Sequence, residues 1–298
     1  MKSFSLLSFL FVVCLKSWGQ DKPVRIPFQL TPANNISVRV LINRIDTLQL
    51  MFHTASGGLT LTEDATRNVR SLQFARTDTV KSWGGEGNAS RYSPNNTLQL
   101  GDLTYEQVSI WENKYSGPGT DGKFGLDFFA GRVVEINFDE KVLVIHQHLP
   151  KAMRGYEKLP LKVQQDMLYL EGGLVIGTDT LRHSFLMHSG YAGSLLLDDA
   201  WVAQHAQIQH LPVISGQELK DSYGNRLKTK KSSLSAFLLG KAKLQQVPVS
   251  FFEGAIGRQK ISVLGGDVLK RFNWIIDVAG GYVYVKPNRL QKAPFSTT

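Results

Sequence analysis

The chain has 298 residues, with 34 Lys and Arg against 25 Asp and Glu and a formal net charge of +9. Its single cysteine, Cys14, lies near the N-terminus, which excludes a disulfide framework and any zinc site built from several cysteines. A chain of this length forms an ample core without either.

Lys2 is followed by the apolar run FSLLSFLFVVCL (4–15), then Lys16 and a polar start at Asp21. The run is too short to span a bilayer and suits a secretory h-region, so residues 1–20 are read as a signal peptide. Val13 before Cys14 and Lys16 after it argue against lipidation. The mature protein is therefore expected in the periplasm or outside the cell, as a monomer with no integral membrane association. Without Lys2 and Lys16 the net charge is +7, and the excess is uneven: residues 21–150 hold 13 basic and 14 acidic residues, whereas 151–298 hold 19 and 11. Lys220, Arg226, Lys228, Lys230 and Lys231 crowd one segment, read as a solvated basic hairpin that favours acidic ligands. Export sets nucleic acid aside as the partner.

Periodicity is mostly two. ISVRVLI (36–42), LQLMFH (48–53), VVEINF (133–138), VLVIH (142–146), LVIGT (174–178), SFLM (184–187) and YVYVKP (282–287) alternate or run apolar and predict strands. Turn residues punctuate them at 32–35, 87–90 and 117–119. Short helices are predicted near 62–70, 127–132, 198–206 and 267–272, with Asp127 and Asp267 as N-caps.

Residues 124–145 (FGLDFFAGRVVEINFDEKVLVI) align without a gap over 264–285 (LGGDVLKRFNWIIDVAGGYVYV), at an offset of 140. Upstream, FHTASGGLTLTEDA (52–65) is echoed by MHSGYAGSLLLDDA (187–200), so that His53 answers His188. Two copies of one β-rich unit predict two similar lobes, 21–150 and 151–298, whose matched motifs meet at a shared cleft.

This arrangement resembles the aspartic peptidases of the pepsin and retropepsin type, in a two-lobed, bacterial exported form. In that family each lobe carries a strand ending in hydrophobic-hydrophobic-Asp-Thr/Ser-Gly, followed later by hydrophobic-hydrophobic-Gly. Leu50-Met51-Phe52-His53-Thr54-Ala55 and Phe185-Leu186-Met187-His188-Ser189-Gly190 stand at the first element. Asp121-Gly122-Lys123-Phe124-Gly125 and Val263-Leu264-Gly265 stand at the second. The resemblance implies an all-β, two-lobed acid-protease fold with a few short helices and a peptide-binding cleft.

The departure is chemical. His53 and His188 occupy both positions that the resemblance assigns to catalytic aspartates, and Ala55 replaces a glycine. Paired carboxylates share one proton, so one member can take a proton from water while the other polarises a carbonyl. Two imidazoles cannot reproduce that state, because protonation adds positive charge instead of removing negative charge. Thr54 and Ser189 keep the hydroxyls that cross-link the two loops in the family, and Gly190 keeps the small residue. The resemblance with this departure implies a pseudopeptidase without cofactor, binding a peptide or protein ligand. Trp83, Gly84 and Gly85 fall where a flap hairpin belongs, and Tyr223-Gly224-Asn225-Arg226 is its counterpart.

The alternative is a hydrolase using His53 and His188, alone or around zinc or another divalent ion, with Glu86 or Asp121 as third ligand of such an ion. His146 and His148 in IHQH are spaced for metal but lack a third partner and are read as a polar strand exit. Neither GxSxG nor GxxxxGK[ST] occurs, removing the main support for serine-hydrolase and P-loop chemistry.

Overall fold

In the computed structural model, which describes residues 22–82, 85–224, 226–252 and 260–296, the alternating segments become strands. Strands hold 55% of the residues, arranged as two barrel-like lobes. The first half of the chain supplies β1 (Val24–Leu30), β2 (Ile36–Ile42), β3 (Asp46–His53), β4 (Leu59–Thr62), β5 (Arg76–Ser82), β6 (Gly85–Leu100), β7 (Leu103–Asn113), β8 (Gly122–Gly125), β9 (Val133–Asn137) and β10 (Val142–His146). The second half supplies β11 (Glu157–Pro160), β12 (Lys162–Gln164), β13 (Met167–Ile176), β14 (Asp179–His188), β15 (Leu195–Leu196), β16 (Ser215–Lys220), β17 (Arg226–Leu239), β18 (Ala242–Phe252), β19 (Val263–Gly265), β20 (Phe272–Asp277) and β21 (Tyr282–Pro287).

The first lobe runs β1-β2-β3-β8-β4-β7-β6-β5 and closes through β2 on β6; the second runs β12-β13-β14-β19-β15-β18-β17-β16 and closes through β13 on β17. Inward-facing residues such as Leu50, Phe52, Leu59 and Phe124 in one barrel, and Phe185, Met187, Leu195 and Leu264 in the other, are buried. The positions between them point to the other face; some, such as Thr60 and Lys123, are polar, whereas Met51, Leu186 and Leu196 are apolar and buried as well, so these strands are covered on both faces there.

Between the lobes lies a shared layer, β11-β21-β20-β9-β10-β1. Here the two repeat copies pair with each other: Ile136 faces Trp274, Glu135 faces Ile275 and Val134 faces Ile276. With the repeat offset of 140, that register is symmetric about Glu135 and Ile275, so an approximate twofold axis passes between them. Strand β1 serves both layers, pairing with β10 through Val24–Pro27 and with β2 through Phe28–Leu30.

The helices are single turns: α1 (Glu63–Thr66), a 3-10 turn at Leu126–Phe129, α2 (Asp199–Ala203), α3 (Ala206–Gln209) and α4 (Gly266–Leu269). The N-cap expectation for Asp127 and Asp267 is corrected. Gly125 and Gly265 hold the cap positions, and neither makes a side-chain cap bond. The two carboxylates lie inside the first turn because they are engaged elsewhere: Asp127 accepts from the Gly58 N–H at 2.9 Å, and Asp267 pairs with Lys270 and Arg271.

Candidate functional site

His53 and His188 end equivalent strands. β3 runs parallel to β8 and places His53 beside Gly125; β14 runs parallel to β19 and places His188 beside Gly265. Glycine is required at both partners. A methyl on Gly125 would collide with the Ser56 carbonyl, and one on Gly265 with the Gly193 carbonyl, so each hydrophobic-Gly motif exists to let the loop after the histidine fold back over the strand.

The loops are tied to each other below the rings. Thr54 Oγ1 donates to the Met187 carbonyl at 2.6 Å and accepts from the Ser189 N–H at 3.0 Å. Ser189 Oγ donates to the Phe52 carbonyl at 2.7 Å and accepts from the Thr54 N–H at 3.0 Å. Each hydroxyl thus spans the lobe boundary with a donated and an accepted bond, all four buried. Asn35 Nδ2 adds a bond to the Ser189 carbonyl at 2.9 Å.

This frame brings the imidazoles into edge-to-face contact, with ring centroids 4.6 Å apart and planes at 61°. Ala55 donates its N–H to His53 Nδ1 at 3.1 Å, so neutral His53 carries its proton on Nε2. That nitrogen points at Gly190, where a methyl would overlap it. Gly190 is therefore fixed by the His53 ring. His188 is not the mirror image: its Nδ1 is buried without a hydrogen-bond partner.

Both rings are held neutral. Burial drives the His188 pKa down to about 4, with the Lys123 charge acting in the same direction. Burial, His188 and Lys123 together push His53 well below its ordinary value. No described carboxylate hydrogen-bonds either ring. Neutral imidazoles with so little proton affinity are poor general bases near pH 7, although each can offer one hydrogen bond to a bound carbonyl or amide.

Lys123 is the site residue that the strand pattern did not single out. Its repeat counterpart is Val263, and a lysine where the other copy keeps valine was the available signal. It lies in β8 opposite Met51 and reaches across to the second lobe, donating to Ser222 Oγ at 3.1 Å. Burial lowers its pKa, and the nearby Asp221 charge partly opposes this. The turn that receives it, between β16 and β17, is bound to the first lobe at further points. The Ser222 carbonyl accepts from the N–H groups of Lys114 and Tyr115 at 2.9 Å each, and the Lys220 ammonium lies 3.3 Å over the Tyr115 ring. The basic hairpin expected to be solvated thus has its tip, residues 221–223, docked across the lobe boundary, with Asp221 buried.

Of the other candidates, Trp83, Gly84, Asn225 and the Glu86 side chain lie outside the described residues; Gly85 begins β6. Asp121 does not join the histidines. It accepts from the Gln49 N–H at 2.7 Å and stands four residues before Gly125, about 13 Å along an extended strand. Among the described residues no group of three or more His, Cys, Asp and Glu is placed to hold a metal. His146 meets Glu135 at 2.9 Å, and His205 packs on Trp201 with ring centroids 4.3 Å apart.

No protein-family model and no curated protein matches the chain. The architecture is that of a two-lobed, pepsin-like β fold. Among solved structures it is similar to the crystal structure of aspartic proteinase from Irpex lacteus, with a TM-score of 0.59 and 13% sequence identity, covering 92% of this chain and 100% of that one. At that identity the likeness is one of fold.

Proposed function

We propose that this chain is an exported aspartic-peptidase homologue in which an imidazole pair has replaced the acid dyad, leaving a cleft that binds extended peptide without hydrolysing it by the aspartic route. One observation carries the reading: His53 and His188 meet at the ends of equivalent strands, on a hydroxyl-braced frame, with the Lys123 ammonium nearby and no carboxylate bonded to either ring. A centre of two neutral imidazoles beside a cation cannot hold the shared proton and single negative charge that activate water in a carboxylate pair. It can still donate hydrogen bonds to a peptide backbone, and extended ligands are held largely by such main-chain bonds.

The same geometry supports a site without metal. Two imidazoles supply half of a tetrahedral zinc set, no third ligand stands with them among the described residues, and a lysine ammonium beside them repels a cation. Of the third ligands the alternative calls on, Asp121 is engaged by the Gln49 N–H and the Glu86 side chain lies outside the described residues, so the reading without metal is the one favoured.

The test is incubation of the purified mature chain with a defined pool of eight-residue peptides at pH 4 and pH 7, followed by mass spectrometry of free and retained fractions. Peptides should be retained intact at both pH values. Cleavage at pH 4 that pepstatin abolishes, or the absence of any retained peptide, would overturn the proposal.

A further inference from the structure

The two lobes differ most where their sequences repeat most closely. Asp267 and Asp127 are counterparts in the gapless repeat. Around Asp267 the chain fills its own surface. Arg271, wholly buried, donates to Asp267 Oδ1 at 3.2 Å and to the carbonyls of Leu290, Ala293 and Pro294 at 3.1, 2.6 and 3.2 Å. Phe295 lies 3.6 Å from the guanidinium carbon. The Ser296 N–H donates to Asp267 Oδ2 at 2.7 Å, and Lys270 adds an ion pair at 2.8 Å. An extended segment, two cations and an aromatic ring thus close this face of the second lobe.

Among the described residues these parts do not recur around Asp127. The counterparts of Lys270, Arg271 and Trp274 are Ala130, Gly131 and Val134. The turn answering Asn34 and Asn35, Gln165-Asp166, is exposed and makes no bond to the first lobe, whereas Asn34 Nδ2 donates to the Ala192 carbonyl at 2.7 Å. What remains is a cavity of about 510 Å³, within the ~300–1,000 Å³ range of ligand sites. Phe129, Val134, Met167, Leu168 and Ile276 give it an apolar lining, with Asp127 and Asp166 on its exposed rim. Neither histidine lines it. Asp127 is bonded to the Gly58 N–H and paired with no basic side chain among the described residues.

We infer that this cavity is a docking site for an extended segment of another polypeptide, which brings a lysine or arginine to Asp127 and lays a large apolar side chain on Val134 and Ile276. The second lobe shows the parts such an occupant would replace: there Lys270 and Arg271 of the lobe itself meet the equivalent carboxylate, while the tail adds the Ser296 N–H and lays Phe295 on the guanidinium. Charge complementarity selects against acidic segments: the cavity offers Asp127 and Asp166 against one arginine, Arg132, and a buried apolar contact with one charge-assisted bond is a common basis for peptide recognition. The cavity shares Thr54 and Ala55 with the loop that follows His53, but neither histidine ring lines it, so a variant of His188 distinguishes the two readings.

The experiment uses the full mature chain and a fluorescein-labelled peptide with the sequence of residues 289–296, RLQKAPFS, read by anisotropy. Saturable binding is expected, weakened about tenfold or more, equivalent to about 1.4 kcal/mol, by Val134→Trp, which refills the space as the second lobe does. Ala130→Lys, on the exposed rim, supplies the missing cation from within the chain and should weaken binding in the same direction, so the test survives if Val134→Trp does not fold. His188→Gln should leave binding unchanged, and a peptide with both basic residues replaced by glutamate should not bind. Absence of saturable binding up to about 1 mM, a ceiling near 4 kcal/mol of binding energy, would overturn the inference. So would binding that neither cavity variant weakens, or binding lost only in His188→Gln, which would move the peptide to the cleft.

Discussion

Acidification tests the electrostatics of the histidine pair directly. In the unfolded chain His188 has its ordinary pKa of 6.5, and in the folded chain burial and the Lys123 charge hold it at about 4. The folded state therefore binds this proton more weakly than the unfolded state. Stability is complete above the unfolded value and is lost as pH falls from 6.5 towards 4. The gap caps the loss from His188 at about 3 kcal/mol, and between pH 7 and pH 5 the linkage relation gives about 2 kcal/mol. His53, also depressed, shifts stability in the same direction. The assay is urea unfolding of the wild type and of His188→Gln at pH 7 and pH 5. The variant should lose about 2 kcal/mol less than the wild type over that interval, since shared losses from carboxylates cancel. Equal losses in the two proteins, or a His188 resonance titrating near 6.5 in the folded state, would refute the buried, neutral assignment.

Thr54→Val keeps the side-chain shape but strands the Met187 carbonyl and the Ser189 N–H. With two buried groups orphaned, urea unfolding should show a loss of about 2–4 kcal/mol, whereas Thr54→Ser should lose less than about 1 kcal/mol because its hydroxyl makes both bonds. A loss below about 1 kcal/mol in the valine variant would mean that the brace contributes little. Lys123→Met removes a charge that depresses both rings and a bond that holds the β16–β17 turn across the lobes. Imidazole titration by NMR should show the His188 pKa rising above about 4, and an unchanged value would place the ammonium too far from the rings to matter.

The paired motifs were legible in the sequence because duplication wrote them twice. His53 and His188 stood out through their echoed surroundings, and the hydrophobic-Gly elements through a gapless register. Alternation identified strands such as β2, whereas β7 and β17, whose polar runs mask the alternation of buried and exposed positions, were not among those predicted. Three features were hidden for physical reasons. Lys123 sits inside an apolar strand, and only its contrast with Val263 betrays that it points away from the core. Arg271 is a guanidinium with no exposure, and its burial depends on carbonyls about twenty residues later that no local pattern predicts. Asp127 and Asp267 resemble helix caps by position, but the backbone reaches its turn through glycine and leaves both carboxylates to tertiary partners.

The shared sheet has a consequence for how the molecule comes apart. β1 spends its first half in the layer between the lobes and its second half in the first barrel, while β9 and β20 pair across the approximate axis. Cutting the chain between the repeats would leave bare strand edges on both pieces, each exposing N–H and C=O groups that had been paired. The two copies are thus legible as separate units in sequence but joined as one unit in cohesion. Heating should reveal a single calorimetric transition, and a half-chain expressed alone would regain its missing edge only against a second copy of itself.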